Sequence, residues 1–550
     1  MTEPTDPLAQ WRRTKIVATL GPATADDATV EALVRAGMNV ARINLSHGTP
    51  EEHAALLTTV RRVAARLDAA VGVMADLPGP KLRVGDLAEP VAVAAGDRVT
   101  LGAGADLPAN FPELLQHFAA GQRVLVDDGA VALRVAAVES AGGADAKVVL
   151  EAQNAGLIEA RKGVNLPDTP LPIPAFTAED EVHLRHVLEL GVDLVAESFV
   201  RSAADIELLK RRIAELGGDQ LVVAKIEKRE ALRALDDIAA VADALMIARG
   251  DLGVEIPPAE VPVWQKRIIH AARVAARPVI TATQMLQSMV SNPRPTRAEA
   301  SDVANAIYDS TCAVMLSGET AIGDYPVEAV GTMAEIAHVV EADIARDGWP
   351  LQEWAQRRAR TSDAISYAAC DLARKIGAVA IVTPTATGAT ARAVARYRPS
   401  PRIVAVSPRP RTVAQLTLAW GVTPLLRDEV ADADAVIPRS NDAVLAAGLA
   451  GPGDLVVMTA GVHATAGSTN LIKAHVLQEP VPRGAQAGRR AGEWRAGSDA
   501  RCAPAGNPLA RRRGRPSPAG REARCAARIS RDRASRPARG ASRRPRDPGP

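Results

Sequence analysis

The sequence of 550 residues has few aromatic residues and few cysteines, and each shortage excludes a class of protein. Aromatic residues make up 3% of the chain, so its core must be packed with aliphatic side chains. The cysteines, Cys312, Cys370, Cys502 and Cys525, lack the spacing of a zinc site or of a disulfide framework. No run reaches the ~18 apolar residues of a membrane span, and the start, MTEPTDPLAQWRRTK, lacks the apolar segment of a signal peptide. We therefore expect a cytoplasmic protein without a membrane anchor.

Lysine is absent from Val481 onward, where arginine is abundant. This segment holds 19 arginines and five acidic residues, a charge of +14, whereas the whole chain carries +2 and the preceding part therefore about −12. It is rich in Pro, Ala and Gly and has no apolar periodicity, which predicts a disordered Arg/Pro/Ala-rich tail over residues 479–550. Out-of-frame translation of a GC-rich message would leave the same composition. Nucleic-acid binding through charge is the less favoured interpretation.

Short runs of apolar and β-branched residues recur through the first 320 positions, and most are followed by a segment with helical spacing. Near-continuous apolar strands that alternate with helices are typical of a parallel sheet covered on its outer face. Eight such units predict a (β/α)8 barrel. The runs are 15–20, 39–46, 71–77, 193–200, 221–227, 244–251, 278–284 and 313–319.

Two further regions interrupt or follow this pattern. Between the third and fourth runs, short alternating strands with turn signals predict a small β domain inserted in a barrel loop, where it would act as a lid. After about Asp347 the pattern restarts as an open α/β sheet that ends near His475. The predicted domains are the barrel (1–79 and 168–346), the β-barrel lid (80–167) and the C-terminal α/β domain (347–478).

Polar residues stand where the predicted barrel strands end, which is where barrel enzymes carry their chemistry. In AKIEK, Lys225 and Glu227 share one strand face because side chains alternate with a period of two. Glu227 and Asp251, from adjacent strands, would hold Mg²⁺ or Mn²⁺, and Gly250 would let the backbone approach the ligand closely. Arg42 and Lys225 would add positive charge where phosphate charge develops.

The chain resembles the pyruvate kinase family over about residues 13–476, where several motifs occur in the same order as in that family. The motifs include TKIVATLGPAT, AGMNVARINLSHG, AKIEKREAL, ARGDLGVEIP, ATQMLQSM and MLSGETAIGDYP. The resemblance implies a barrel enzyme with a lid and an effector domain that transfers the phosphoryl group of phosphoenolpyruvate to ADP. This reaction yields pyruvate and ATP and is the last step of glycolysis.

The resemblance also implies roles for individual residues. Lys225, Arg42 and Thr283 would be catalytic, and Gly250 and Asp251 would join them in binding the substrate. Glu227 and Asp251 would bind Mg²⁺ or Mn²⁺. The nucleotide would contact Asn44, His47, Arg83 and Lys162.

The family's potassium site corresponds here to Asn44, Ser46, Asp76 and Leu77. A common version of the family has a glutamate where this chain has Lys81, in DLPGPKLR. An ammonium at this position would replace a monovalent cation, so we expect activity without K⁺. If Lys81 instead points to solvent, K⁺ still binds.

The C-terminal stretch TPTATGATAR resembles the family's effector loop, with Thr385, Thr387 and Thr390 around Gly388. Hydroxyls and backbone N–H groups there form a phosphate cradle, and the resemblance implies a sugar-phosphate or nucleotide effector. A capped helix start without a ligand is the alternative. By analogy the enzyme is expected to be a homotetramer.

Two other functions compete with this interpretation. A carboxylase or lyase acting on an enolate would keep the metal pair, but it would lack the lid and the ADP residues. A non-catalytic protein that binds nucleic acid through its tail would not need Arg42, Lys225, Glu227, Asp251 and Thr283 together.

Overall fold

The computed structural model of the chain describes residues 11–479, with gaps at 111, 128, 141–145, 170–172, 348–360, 429–432 and 462–468. The predicted disordered tail lies outside the described residues from position 480 onward. Cys312 and Cys370 are buried free thiols. None of the helices in the described ranges combines the length and the apolar character needed to cross a membrane.

The chain begins with strands that are buried on both faces, which explains their near-continuous apolar sequence. The helix after the second strand starts with a capping box, in which Thr49 and Glu52 each bind the other's backbone N–H. The elements are β1 (Lys15–Leu20), α1 (Asp27–Ala36), β2 (Val40–Asn44), α2 (Pro50–Arg66) and β3 (Gly72–Asp76).

An antiparallel β domain follows β3, as predicted for the lid. Its strands alternate between buried and partly exposed positions, and the buried side chains form an apolar cluster of their own. The strands are β4 (Val91–Val93), β5 (Arg98–Gly102), β6 (Arg123–Val126), β7 (Val131–Ser140), β8 (Lys147–Ala152), β9 (Gly156–Ile158) and β10 (Val164–Asn165). They form one sheet in the order β10-β6-β7-β8-β5 and a separate β4-β9 pair.

The chain then returns to the barrel and completes it. The elements are α3 (Ala178–Leu190), β11 (Leu194–Glu197), α4 (Ala203–Glu215), β12 (Leu221–Ile226), α5 (Arg229–Arg233), α6 (Leu235–Val241), β13 (Ala244–Ala248), α7 (Arg249–Glu255), α8 (Val261–Val274), β14 (Val279–Ala282), α9 (Arg297–Tyr308), β15 (Ala313–Leu316), α10 (Gly318–Ala321) and α11 (Pro326–Asp347). Within the described ranges, eight parallel strands close in the order β1-β15-β14-β13-β12-β11-β3-β2, which confirms the predicted barrel.

The sixth predicted run, 244–251, is too long. The strand ends at Ala248, and α7 begins at Arg249. Gly250 and Asp251 therefore lie in the first turn of a helix and not at the end of a strand. A Cβ at Gly250 would meet Thr283 Oγ1 at 3.5 Å, an ordinary contact. Packing against the described protein atoms therefore does not require glycine at this position.

The C-terminal domain is an open sheet with helices on it, as predicted, but it is mixed and not purely parallel. The elements are α12 (Thr361–Lys375), β16 (Ala380–Pro384), α13 (Ala389–Ala395), β17 (Arg402–Ser407), α14 (Pro410–Leu416), β18 (Val422–Leu426), α15 (Ala433–Ala446), β19 (Leu455–Gly461) and β20 (Thr469–Val476). The strand order is β18-β17-β16-β19-β20, and β20 runs antiparallel to β19. The sequence did not predict β20, because this edge strand is largely exposed and lacks an apolar run.

A buried glutamate on α11 anchors the chain just before β1. Glu341, which is 3% exposed, accepts the backbone N–H of Arg13 at 2.9 Å and that of Thr14 at 2.6 Å. We expect Glu341→Ala to lower the free energy of unfolding by about 2 kcal/mol or more, because it strands buried donors. Glu335→Ala, at an exposed position of the same helix, is the control and should change the free energy of unfolding by less than about 0.5 kcal/mol. Equal urea midpoints for both variants would contradict the anchoring role.

Candidate active site

A lysine ammonium occupies the centre of the barrel mouth, where the strands end. Lys225 Nζ on β12 donates to Ser198 Oγ at 2.6 Å. It also lies 3.2 Å from Asp76 Oδ1 and 2.8 Å from Glu227 Oε1. These partners come from the ends of β3, β11 and β12, so the closure of the barrel brings them together.

A second cation reaches the same aspartate from the neighbouring strand. Arg42 on β2 donates from Nε to Asp76 Oδ2 at 2.7 Å, and its Nη2 lies 2.7 Å from the same oxygen. Its Nη1 donates to Thr19 Oγ1 at 2.9 Å. Asp76, which is 1% exposed, therefore fixes the positions of both Arg42 and Lys225.

The electrostatics keep this cluster charged. Burial opposes charge on Lys225, but the carboxylates of Asp76, Glu227 and Asp251 outweigh it and raise the lysine pKa above its ordinary value. Burial likewise opposes charge on Asp76, yet the charges of Lys225 and Arg42 hold the pKa of that carboxyl below its usual range. At neutral pH the mouth therefore presents fixed positive groups.

The predicted metal ligands, Glu227 and Asp251, lie beside this cluster. Burial and the charge of Asp251 raise the pKa of Glu227 above its usual range, against the opposing effect of Lys225. Glu227 Oε2 accepts the Phe199 N–H at 2.8 Å, whereas Oε1 faces Lys225 without a well-directed hydrogen bond. Asp251 Oδ1 has a long contact of 3.4 Å with Lys81 Nζ.

Both carboxylates therefore keep coordination capacity, and hard oxygen ligands of this kind suit Mg²⁺ or Mn²⁺. Within the described part of the chain, no three His, Cys, Asp or Glu side chains converge as a complete metal site. The protein would thus supply two ligands, and substrate and water oxygens would supply the rest.

Thr283 follows β14 in a strained conformation. Its φ of 68° lies in the left-handed region, which β-branched residues rarely adopt. Its Oγ1 accepts the Gly250 N–H at 2.7 Å and donates to Ala282 O at 2.7 Å. Arg249, held by Asp302 at 2.7 Å, donates to Thr283 O at 2.7 Å. Such over-determined strain is typical of functional sites.

Of the predicted nucleotide residues, His47 lies near Arg42, Arg83 and Lys81. Burial, and then the charges of Arg83, Arg42 and Lys81, lower the pKa of His47. Lys162 sits on the segment paired with that of Arg83, since Val84 N donates to Lys162 O at 2.9 Å. Its ammonium, however, contacts lid carboxylates, Asp127 at 3.1 Å and Glu159 at 3.2 Å.

The predicted potassium ligands are already engaged within the protein. Asp76 pairs with both Arg42 and Lys225, and the carbonyl of Leu77 accepts Ser198 Oγ–H at 2.7 Å. Asn44 Oδ1 accepts the Ser46 N–H at 3.3 Å. Lys81 does not extend into solvent, because its Nζ reaches the carboxylate of Asp251.

The predicted effector loop joins β16 to α13. Gly388, with φ of 75°, donates its N–H to Thr385 Oγ1 at 2.9 Å. Thr390 Oγ1 hydrogen-bonds Thr469 Oγ1 on β20 at 2.7 Å. The hydroxyls of Thr385 and Thr390 thus have protein partners, as expected for a capped helix start without a ligand.

The sequence did not assign roles to Ser198 and Arg249. Ser198 ends the fourth barrel strand and connects Lys225 to Leu77 through its hydroxyl. Arg249 supports Thr283 from the start of α7. Both stood at predicted strand ends, but only the three-dimensional contacts reveal which partner each one holds.

Comparisons with known proteins agree with this geometry. The family model described as the barrel domain of pyruvate kinase matches residues 11–330, and that of its alpha/beta domain matches residues 363–475. The chain belongs to the pyruvate kinase family. It is 40% identical to the pyruvate kinase of Clostridium acetobutylicum over 477 residues, which cover 85% of this chain and 100% of that protein.

Other relatives support the same assignment. The pyruvate kinase of Geobacillus stearothermophilus is 40% identical over 488 residues, 87% of this chain and 83% of the relative. A crystal structure of a pyruvate kinase from Cryptosporidium parvum superposes with a TM-score of 0.78 and 33% identity, covering 85% of this chain and 96% of that one.

The family assignment establishes the activity of the enzyme. It transfers the phosphoryl group of phosphoenolpyruvate to ADP and thereby yields pyruvate and ATP in the last step of glycolysis. The family uses Mg²⁺ and K⁺. The alternatives of a carboxylase or lyase and of a non-catalytic binding protein are therefore set aside.

Proposed function

We propose that Lys225, Arg42 and Thr283 are the catalytic residues of this phosphoryl transfer. The observation that carries the proposal is the pair of cations fixed on Asp76 at the barrel mouth. Transfer of a phosphoryl group demands little covalent chemistry from a protein, so positioning and charge neutralisation dominate. Arg42 grips the phosphoryl group, and Lys225 neutralises the charge that spreads over its oxygens during transfer.

Thr283 and the start of α7 seat the other end of the substrate. The strained loop fixes the Thr283 hydroxyl against Gly250 and Ala282, so the wall of the site is preorganised before the substrate arrives. We propose that this wall, with Gly250 and Asp251, orients the substrate carboxylate. Thr283 would then lie near the enol carbon that takes up a proton when pyruvate forms.

Glu227 and Asp251 are the proposed ligands of Mg²⁺ or Mn²⁺. When bound, the ion neutralises and polarises the oxygens of the substrate's carboxylate and phosphoryl groups. Glu227 presents Oε1 while its other oxygen is held by Phe199 N–H, which fixes the orientation of the carboxylate. Asp251 presents a half-exposed carboxylate from the first turn of α7.

The metal assignment predicts the behaviour of Glu227→Gln. Loss of one anionic ligand should raise the Mn²⁺ dissociation constant at least about 10-fold, measured by electron paramagnetic resonance, and raise the Mg²⁺ concentration for half-maximal activity in parallel. Glu255→Gln is the control, since Glu255 is also buried but pairs with Lys228 at 2.5 Å. Unchanged Mn²⁺ affinity in Glu227→Gln would refute the assignment.

The nucleotide is proposed to bind between the barrel and the lid, against Asn44, His47, Arg83 and Lys162. The charges of Arg83, Arg42 and Lys81, which add to the larger effect of burial on the pKa of His47, support this placement, because a diphosphate needs positive neighbours. Lys162 would exchange its lid carboxylates for nucleotide oxygens. With the proposed domains of 1–79 with 168–346, 80–167 and 347–478, this site would lie at the hinges of the lid.

We further propose that Lys81 makes K⁺ dispensable. Its ammonium contacts Asp251, while Asp76 and Leu77 are engaged by other groups, so a monovalent cation would have to displace existing contacts. A sugar-phosphate or nucleotide effector at Thr385, Thr387 and Thr390, a homotetramer and a cytoplasmic location complete the proposal by analogy with the family.

A further inference from the structure

A small cavity between the barrel and the C-terminal domain has an unusually cationic lining. It lies near the start of β14 and β15, at the opposite end of the barrel from the catalytic cluster. It is small, since the centre of a water-sized sphere can move within only about 10 Å³, which is room for a single small species. None of the described lining residues is acidic. The lining includes Arg273, Arg277, Arg392, Arg396 and Arg398.

Arg398 is the most buried of these arginines, with 2% exposure. Its guanidinium stacks over the Trp420 ring at 4.4 Å, and Nη2 donates to Ser310 O at 2.5 Å and to Cys312 Sγ at 3.2 Å. Among the described residues, Nε and Nη1 find no hydrogen-bond acceptor. Leaving buried donors of a charged group unpaired is costly, so an acceptor from outside the chain would stabilise them.

Arg392 enters the same cavity from α13. Its Nη1 is buried and likewise lacks an acceptor within the described ranges. The side chain passes beneath Gly388, where a Cβ would lie 2.9 Å from Nη1. Neither Arg392 nor Arg398 has a described carboxylate within ion-pair distance.

The described acidic groups that act on these arginines have partners of their own. Glu341, whose charge acts on Arg398, binds the backbone N–H groups of Arg13 and Thr14. Arg396 lies 3.1 Å from Asp363, and Arg277 lies 3.8 Å from Asp243. Positive charge in the cavity therefore exceeds the negative charge around it.

The pKa values of the arginines reflect the same imbalance. Burial, followed by the charge of Arg398, lowers the pKa of Arg273 to about 10. Burial also lowers the pKa of Arg392 to about 10, although Asp243 opposes it. Guanidinium groups that repel one another in a water-poor cavity create a site for an anion.

We propose that this cavity binds one inorganic anion of the size of chloride, held by Nε and Nη1 of Arg398 and Nη1 of Arg392. The anion joins the barrel to α13 and so to the loop at Thr385–Thr390. It binds only where both domains are folded and in contact, so it stabilises the native state by mass action.

The test compares thermal unfolding of the full-length enzyme in sodium chloride and in sodium gluconate at equal ionic strength, since gluconate does not fit the cavity. We expect the midpoint of thermal unfolding to be about 2 °C or more higher in chloride than in gluconate. In Arg392→Met this difference between the two salts should disappear, and so it should in Arg398→Met if that variant folds. The control Arg211→Met changes an exposed arginine on α4 and should retain it.

Two results would overturn the proposal. One is equal midpoints of the unaltered enzyme in the two salts. The other is a full chloride increment in Arg392→Met, which would show that chloride acts elsewhere. Crystals grown in bromide provide a direct readout, in which an anomalous peak within contact of Arg398 Nε supports the site and its absence at this position counts against it.

Discussion

Lys225→Met should reduce kcat by about 10²- to 10³-fold, because it removes the ammonium that we propose neutralises the phosphoryl group in transfer. The fold should persist, since Asp76 keeps its ion pair with Arg42 at 2.7 Å. Mn²⁺ affinity and phosphoenolpyruvate affinity should change little, because the metal ligands and Arg42 remain. Pyruvate formation, with and without ADP, measures the first effect, and equilibrium titrations measure the others.

This split between binding and turnover distinguishes catalysis from a structural role. A structural role would lower kcat, metal affinity and thermal stability together. Lys375→Met is the control, because this lysine is exposed on α12 and pairs with Asp371. If Lys225→Met turned over at a rate near that of the unaltered enzyme, Lys225 would lose its assigned role.

The second large effect concerns monovalent cations. We expect the enzyme to keep its activity within about twofold when tetramethylammonium replaces K⁺ and Na⁺, because Lys81 supplies the positive charge. Lys81→Glu should lower kcat by about 10²-fold in the same buffer, since a carboxylate would face Asp251. Added K⁺ should restore most of this loss.

The rescue by K⁺ separates this mechanism from general damage to the lid. Lys147→Glu makes the same charge reversal on β8 of the lid and should show no dependence on K⁺. A large loss of activity of the unaltered enzyme without K⁺ would contradict the proposed role of Lys81. So would a Lys81→Glu variant that is equally active with and without K⁺.

Much of the barrel follows from local sequence, because its strands are buried on both faces and appear as continuous apolar runs. The face shared by Lys225 and Glu227 follows from strand geometry, and the structure finds them 2.8 Å apart. The positions of Asp76 and Arg42 at predicted strand ends also indicated that both lie at the mouth of the barrel. For these residues the local pattern was enough to predict their common location, because closure of the barrel restricts the directions in which their side chains can point.

Other features depend on contacts that no local pattern encodes. The change from strand to helix at Arg249 is hidden in an apolar run, and the positive φ of Thr283 needs support from that same arginine. The partly exposed β20 forms only because β19 offers an edge. The arginine cavity joins side chains more than 100 positions apart in the chain, so its charge balance is a property of the assembled domains.

The closure of the barrel has a consequence for synthesis of the chain. β1 leaves the ribosome long before β15, the strand about 300 residues later with which its edge pairs. At ~5–20 residues per second, that edge waits roughly 15 to 60 seconds for its partner. During this interval an apolar strand with unpaired N–H and C=O groups is open to pairing with other chains. The nascent polypeptide is therefore exposed to mis-pairing at this edge until translation has passed Leu316.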